Sequence, residues 1–258
     1  MPHSPGMFTI AHLSDIHLGG HPQAAERTER VLRQIVAMSP TPDLVLLTGD
    51  VADHGLVEEY TEAHDLLSVW PGPRLVCPGN HDVREPFAEV LLDRPAGSSP
   101  VEPLDQAYAV GGFRFLLLDS LIPARDGVRV DPGRLAPATL TWLDQQLSAD
   151  DSPTFVAFHH PPVNIGVLEA DRVQLENGDE LAEVLGRHPQ VLATLVGHHH
   201  TACATTFAGR PLLIGGGVVS TVTLNAEDRP LIDYDAPPTM AFHLVEESRR
   251  ITTFWRAY

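Results

Sequence analysis

Five short apolar runs in this chain each end in a cluster of polar residues, and that repetition constrains the fold more than any other feature of the sequence. Residues 8–13 lead into Ser14-Asp15-Ile16-His17. Residues 44–47 lead into Thr48-Gly49-Asp50, and 75–77 into Pro78-Gly79-Asn80-His81-Asp82. Later, 154–158 end in His159-His160-Pro161-Pro162, and 191–196 in Gly197-His198-His199-His200. Helical spacing separates the first three runs. Val31, Leu32, Ile35 and Val36 place a helix over 24–38, stopped by Pro40 and Pro42, and a second helix covers 56–69 before the breaker at 71–73. Strands alternating with helices build a largely parallel sheet, in which ligands gather at the carboxyl ends of the strands.

The second half carries further elements. Gly111-Gly112 between the strand-like 107–110 and 113–118 is a two-residue hairpin signal, so the sheet becomes partly antiparallel there. Helices are expected over 137–147 and 178–186. Strands follow near 202–207, 211–214, 241–246 and 250–255, with a long loop at 215–238 rich in Gly, Asp and Pro. A Pro- and Gly-rich stretch spans 95–103. No repeat or linker divides the sequence, so 1–258 reads as one domain, with 215–238 a candidate cap or interface element.

Composition narrows the partners. The net charge of −17, from 34 acidic and 17 basic residues, repels duplex nucleic acid and anionic membrane surfaces alike. A small phosphate ester could still bind if cations reversed the local field. No apolar run approaches the ~18 residues of a membrane span, and residues 1–6 lack the pattern of a secretory leader, which points to a cytoplasmic protein. Cys77 and Cys203 have neither metal-knuckle nor redox spacing and read as packing residues.

Taken singly, the polar clusters are weak signals. Asp15 and His17 share one side of an extended strand, as such pairs do by chance, and Gly49-Asp50 fits an ordinary turn. Asn80 offers a neutral oxygen to a hard cation while His81 stays free for acid–base work. His198 and His200, two apart, can share a direction that His199 opposes. His12 and His21 carry little functional signal. Only the coincidence of all five clusters at strand ends points to a built site.

In this order the clusters resemble the signature of the calcineurin-like metallophosphoesterases: Asp-x-His, Gly-Asp-x-x-Asp, Gly-Asn-His-Asp, His, and Gly-His-x-His. The resemblance runs from Phe8 to at least His200. It implies a four-layer α-β-β-α sandwich of two mixed sheets flanked by helices. It also implies two divalent or mixed-valence metal ions, manganese or iron, with zinc the alternative. Asp15, His17 and His200 are assigned to one metal and Asn80, His159 and His198 to the other, with Asp50 bridging. His81 matches the family's non-ligating catalytic histidine, and Asp53 the aspartate that orients it, with Asp82 a competitor. His160 is a second-layer or substrate candidate.

Within the family, the residues around Asp15 and His17, Phe158-His159-His160-Pro161-Pro162 and Leu175-Glu176-Asn177-Gly178 resemble bacterial class III cyclic nucleotide phosphodiesterases and their glycerophosphodiesterase relatives. That implies hydrolysis of 3',5'-cyclic nucleotides such as cAMP to 5'-monophosphates by attack of a metal-bound hydroxide. A broader phosphodiesterase acting on glycerophosphodiesters or 2',3'-cyclic nucleotides is the alternative. A non-catalytic interaction module on the same fold is a remoter one, against which the complete ligand set and His81 argue. The resemblance admits a homodimer; the residues themselves do not reveal an oligomeric state.

Overall fold

Strand β1 (Met7–Leu13) alternates its side chains between two apolar layers. Phe8 and Ile10 face one layer, Ala11 and Leu13 the other. The computed structural model describes residues 6–95 and 102–258, so most of the 95–103 stretch and the first five residues lie outside the described part. A period of two with both sides apolar requires cover on both faces. Helices α1 (Ala24–Ala37), α2 (Val57–Leu67) and α3 (Arg84–Leu91) supply the outer cover. Val31, Leu32 and Ile35 of α1 and Tyr60, Ala63 and Leu67 of α2 fall on one stripe against this face.

The first sheet has the order β13-β12-β1-β2-β3. β2 (Leu44–Thr48) and β3 (Arg74–Cys77) run parallel to β1, whereas β12 (Thr239–Glu246) pairs antiparallel with β1 and β13 (Ile251–Ala257) antiparallel with β12. The second sheet has the order β4-β5-β6-β7-β9-β8. Its parallel centre consists of β5 (Phe113–Leu117), β6 (Thr154–Ala157), β7 (Val191–Val196) and β9 (Arg210–Ile214). Its antiparallel edges are β4 (Gln106–Val110) and β8 (Cys203–Phe207). The β4–β5 turn is the expected Gly-Gly hairpin, with Gly111 at φ 59° and Gly112 at φ 85°.

The sheets pack face to face through Leu44, Leu46, Leu75, Phe115, Leu117, Phe155 and Leu195. Burying each such large side chain contributes about 1.5–3 kcal/mol. Helices α4 (Pro137–Ala149) and α5 (Gly178–Gly186) cover the far side of the second sheet through Leu140, Leu143, Leu147, Leu181 and Leu185. The result is the α-β-β-α sandwich that the resemblance implies.

Two features differ from expectation. Helix α3 was not foreseen: it is eight residues long, without a side-chain cap, and carries Pro86 in its first turn, where proline is tolerated. The 215–238 segment is more ordered than a loop. It holds a small ribbon, β10 (Thr221–Val222) with β11 (Ile232–Asp233), and buries Val218 and Val219 in the helix-side core. Arg27 of α1 ties it down by donating to the carbonyls of Val218 at 2.8 Å, Tyr234 at 3.1 Å and Ala236 at 2.5 Å. Among the described residues no helix is long and apolar enough to cross a membrane.

Candidate metal centre

The parallel strands of both sheets end at the same edge of the sandwich, and the five polar clusters meet there. The chain must turn sharply after each strand. Asp15, His17, Asp50, His198 and His200 all have positive φ, between 42° and 68°. Such conformations cost non-glycine residues about 1–3 kcal/mol each and persist where surrounding contacts impose them. Those contacts are visible: the Asp15 N–H donates to the Gly49 carbonyl at 3.2 Å, His17 N–H to the Asp50 carbonyl at 3.0 Å, and His198 N–H to Asp15 Oδ2 at 3.1 Å. Gly79 is required by proximity, since a Cβ there would sit 2.2 Å from Asp50 Oδ1.

All seven residues expected to hold metal come together in two adjoining groups. In the first, His17 Nε2 lies 3.2 Å from His200 Nε2, and His200 Nε2 lies 3.4 Å from Asp15 Oδ1. In the second, His159 Nε2 lies 3.1 Å from both Asn80 Oδ1 and His198 Nδ1. Asp50 Oδ2 stands between them, 3.4 Å from His17 Nε2 and 3.2 Å from His159 Nε2.

Nitrogens this close either share a hydrogen or need a cation among them, and the far sides of the rings show which nitrogens are bare. His17 Nδ1 donates to Asp53 Oδ1 at 2.8 Å, His159 Nδ1 to the Thr48 carbonyl at 2.7 Å, and His198 Nε2 to the Val173 carbonyl at 2.9 Å. A neutral imidazole has one N–H, so His17 Nε2 and His198 Nδ1 turn lone pairs inward, and His159 Nε2 would do the same once a cation took the place of the proton that Asp50 and Asp15 hold there. The fourth ring, His200, is held through Nδ1 by the Ser220 hydroxyl at 2.7 Å. Asp15 Oδ1 is buried without a hydrogen-bond partner, an acceptor that calls for a cation. Mixed imidazole, carboxylate and amide ligands suit manganese, iron or zinc. The donor set therefore fits metal ions.

The electrostatics agree. Burial holds the pKa of His17 below its ordinary value, that of His198 well below, and that of His200 down at about 4. Burial likewise raises Asp15 to about 6. Asp50 is the exception: burial opposes its charge, but His159, with His17 and His81, holds it well below the carboxylate range. Reciprocally, burial would lower His159, yet Asp50 and Asp15 carry it up to about 9. The buried bridge thus gathers positive charge around itself, which is the demand a shared cation meets.

His81 borders the first group, with its ring centroid 4.5 Å from that of His17. Its Nδ1 is 3.0 Å from the Asp53 carbonyl and 3.2 Å from Asp53 Oδ1. Asp53 thus faces both His17 and His81. Asp82 is occupied elsewhere, accepting from the N–H groups of Gly79, Ala52 and Val51 and from the Tyr60 hydroxyl.

His160 is buried behind the second group, with Nδ1 at 2.8 Å from Ser120 Oγ and Nε2 at 3.1 Å from the Asp131 carbonyl. His199 is buried, and burial lowers it to about 4. His21 stacks on Tyr234. Ser220, Thr48 and Val173, which orient ligands, were not found from the sequence. Two of them act through backbone carbonyls and leave no residue-type signal.

Beside Asn80 and His81 opens a cleft of about 460 Å³. Val83, Leu121, Ile122, Pro123 and Ala124 give it an apolar wall, and His54, Glu85 and Arg129 line its rim. Arg129 Nη1 reaches to 3.1 Å from His81 Nδ1, while its Nε donates to Asp131. The other guanidinium, Arg84, is buried and donates through Nε and Nη2 to Asp119 and the Leu121 carbonyl.

Comparison with known proteins places these observations. A probable cyclic nucleotide phosphodiesterase of Synechococcus sp. is 38% identical over 214 residues, covering 79% of this chain and 80% of the relative. The glycerophosphodiester phosphodiesterase GpdQ of Enterobacter lignolyticus is 32% identical over 262 residues, covering 96% and 89%. Among solved structures, a dimetal phosphatase from Danio rerio superposes with a TM-score of 0.68 at 16% identity, covering 98% of this chain and 99% of that one, which shows a shared fold. Residues 8–202 match the calcineurin-like phosphoesterases, so this chain belongs to the calcineurin-like phosphoesterase family.

Proposed function

We propose that this chain is a two-metal phosphodiesterase that hydrolyses 3',5'-cyclic nucleotides, cAMP among them, to 5'-monophosphates. The observation that carries the reading is Asp50 Oδ2, within 3.4 Å of His17 and 3.2 Å of His159, each of which belongs to a separate group of inward-facing ligand atoms. In this reading Asp15, His17 and His200 hold one ion, Asn80, His159 and His198 the other, and Asp50 both. Bound there, the ions, manganese or iron with zinc as the alternative, neutralise phosphate and lower the pKa of water.

The chain's own residues do the rest. His81 stands at the mouth of the cleft, where its imidazole donates a proton to the departing ribose oxygen. Asp53 aligns that ring and His17 together. The apolar wall at 121–124 suits a flat base, and a cleft of this size is in the range that takes a small organic ligand. The Synechococcus relative supports the cyclic nucleotide reading by its name.

A second reading, hydrolysis of glycerophosphodiesters, is favoured by the GpdQ relative, which covers nearly the whole chain. Parallel turnover of 3',5'-cAMP, 2',3'-cAMP and glycerophosphocholine by manganese-, iron- and zinc-loaded protein separates the two. Hydrolysis of glycerophosphocholine without 3',5'-cAMP would reject the first. A cytoplasmic location and a homodimer complete the proposal; fractionation and sedimentation test them.

A further inference from the structure

His12 and His243 face the layer between the sheets, where their strand neighbours Ile10 and Val245 belong to the apolar core, and both imidazoles are fully buried. Two polar rings in such a layer are costly unless each nitrogen finds a partner. The partners form one line. Thr253 Oγ1 lies 2.9 Å from His243 Nδ1, His243 Nε2 lies 3.1 Å from His12 Nδ1, and His12 Nε2 lies 2.8 Å from Thr48 Oγ1. Thr48 Oγ1 is then 3.0 Å from Ser14 Oγ, which lies 2.9 Å from the Thr48 carbonyl oxygen. That carbonyl is the one facing His159 Nδ1 at 2.7 Å.

Every proton on the line can be placed. A carbonyl only accepts, so the Ser14 hydroxyl donates to it. Ser14 Oγ therefore accepts from Thr48 Oγ1, and Thr48 Oγ1 accepts from His12 Nε2–H. Burial, reinforced by His243, keeps His12 well below its ordinary pKa, and burial lowers His243 to about 3, so each ring has one hydrogen. His12 Nδ1 then accepts from His243 Nε2–H, and His243 Nδ1 accepts from Thr253. The line runs one way, from β13 to the end of β2, and stops at an acceptor. It cannot deliver a proton to His159; it can hold the carbonyl that His159 uses.

We propose that His12 and His243 are positioning residues of the metal centre: through Thr48 and Ser14 they pin the Thr48 carbonyl, which fixes His159 with Nε2 turned toward Asn80 and His198. This rests on reading those residues as metal ligands. The surroundings leave the line little freedom. A Cβ at Gly197 would lie 1.7 Å from Ser14 Oγ and 2.7 Å from the Thr48 carbonyl oxygen, so the turn after β7 closes directly over it. An apolar pair would fill this layer without any matching of protons. The matched line ends where a ligand from the opposite sheet needs a fixed acceptor.

The test compares wild type with His12→Leu, His12→Gln and Thr48→Val. Nitrogen NMR of the histidine rings is recorded on metal-free protein above pH 9, where the His159 ring has given up the proton that Asp50 and Asp15 hold, and calorimetric titration with Mn²⁺ or Zn²⁺ resolves the binding steps. We expect His12→Leu and Thr48→Val to weaken one of two steps by about 10- to 100-fold, the range for second-layer partners of metal ligands. The other step stays as in wild type, and the His159 ring begins to exchange between tautomers. His12→Gln keeps a donor facing Thr48 and retains wild-type binding. Unchanged binding in folded variants, or equal weakening of both steps as general loosening produces, overturns the proposal. Failure of wild type to bind two ions sinks the metal-centre reading instead, and the tautomer of His159 still decides the positioning claim. Thr48→Val removes only a hydroxyl and serves if His12→Leu does not fold.

Discussion

His159 Nε2 meets Asp50 Oδ2 at 3.2 Å, although His159 follows β6 of the second sheet and Asp50 follows β2 of the first. The two halves of the sandwich are therefore joined at this edge by charged and polar groups, while large apolar side chains fill much of the layer between them.

Metal binding should tighten that joint. Ions held by the native chain and not by the unfolded one, at about 100 times their dissociation constant, add about 2.7 kcal/mol of stability per site. Calorimetric melting with and without chelator measures this. An unchanged melting temperature in protein shown to lose metal would contradict the placement of ligands on both sheets.

Asp50→Asn retains the shape of the bridge and removes its charge. Activity should fall by ~100-fold or more, since loss of even an outer partner costs 10- to 100-fold, and metal content should fall below two ions per chain. Elemental analysis beside turnover checks both; two retained ions with near-normal activity would remove Asp50 from the bridging role.

His81→Ala should keep two ions and lose activity by about 10²- to 10⁴-fold, the span of general acid catalysis. A chromogenic ester with a p-nitrophenolate leaving group needs little protonation, so its loss should be smaller than that for cAMP. Equal losses on both substrates would argue that His81 binds phosphate rather than donating a proton.

Acid should unfold the metal-free protein early. Burial lowers the folded pKa of His243 to about 3 from an ordinary 6.5. Above pH 6.5 the ring is neutral in both states and its burial carries no proton penalty. As pH falls toward 3 the unfolded chain takes up a proton that the folded one refuses, so stability drops by about 2 kcal/mol between pH 6.5 and 4.5. Urea titrations across that range test the slope, which His243→Gln should reduce.

The apolar wall of the cleft can be tested at one position. Ile122→Asp should raise KM for a cyclic nucleotide by about 10-fold, the equivalent of losing an apolar contact worth about 1.5 kcal/mol, and leave kcat and glycerophosphocholine turnover nearly unchanged. An equal rise for both substrates would move the base elsewhere.

Much of the site was legible because strand ends and chemistry coincide. Asp15, Asp50, Asn80, His159 and His198 each follow a strand whose short apolar run is plain. The hairpin at Gly111-Gly112 was legible because its turn demands two residues of positive φ. Helix α3 was hidden by its brevity and by Pro86, although Phe87 and Leu91 have helical spacing. Contacts made across the fold left no trace: Asn177, read as part of a motif, pairs its side-chain amide with both backbone groups of Leu135. His12 looked uninformative because its partner His243 lies 231 positions away, and only the antiparallel register of β1 and β12 makes them neighbours.

That register also has a bearing on synthesis. β1 sits between β2 and β12, so a nascent chain leaving the ribosome holds one flank of its first strand bare until residues beyond 239 emerge. Closing such distant pairings late is slow and leaves an unpaired edge open to wrong partners. Chaperone engagement should accordingly persist until the residues of β12 have left the ribosome, and end when they cover that edge.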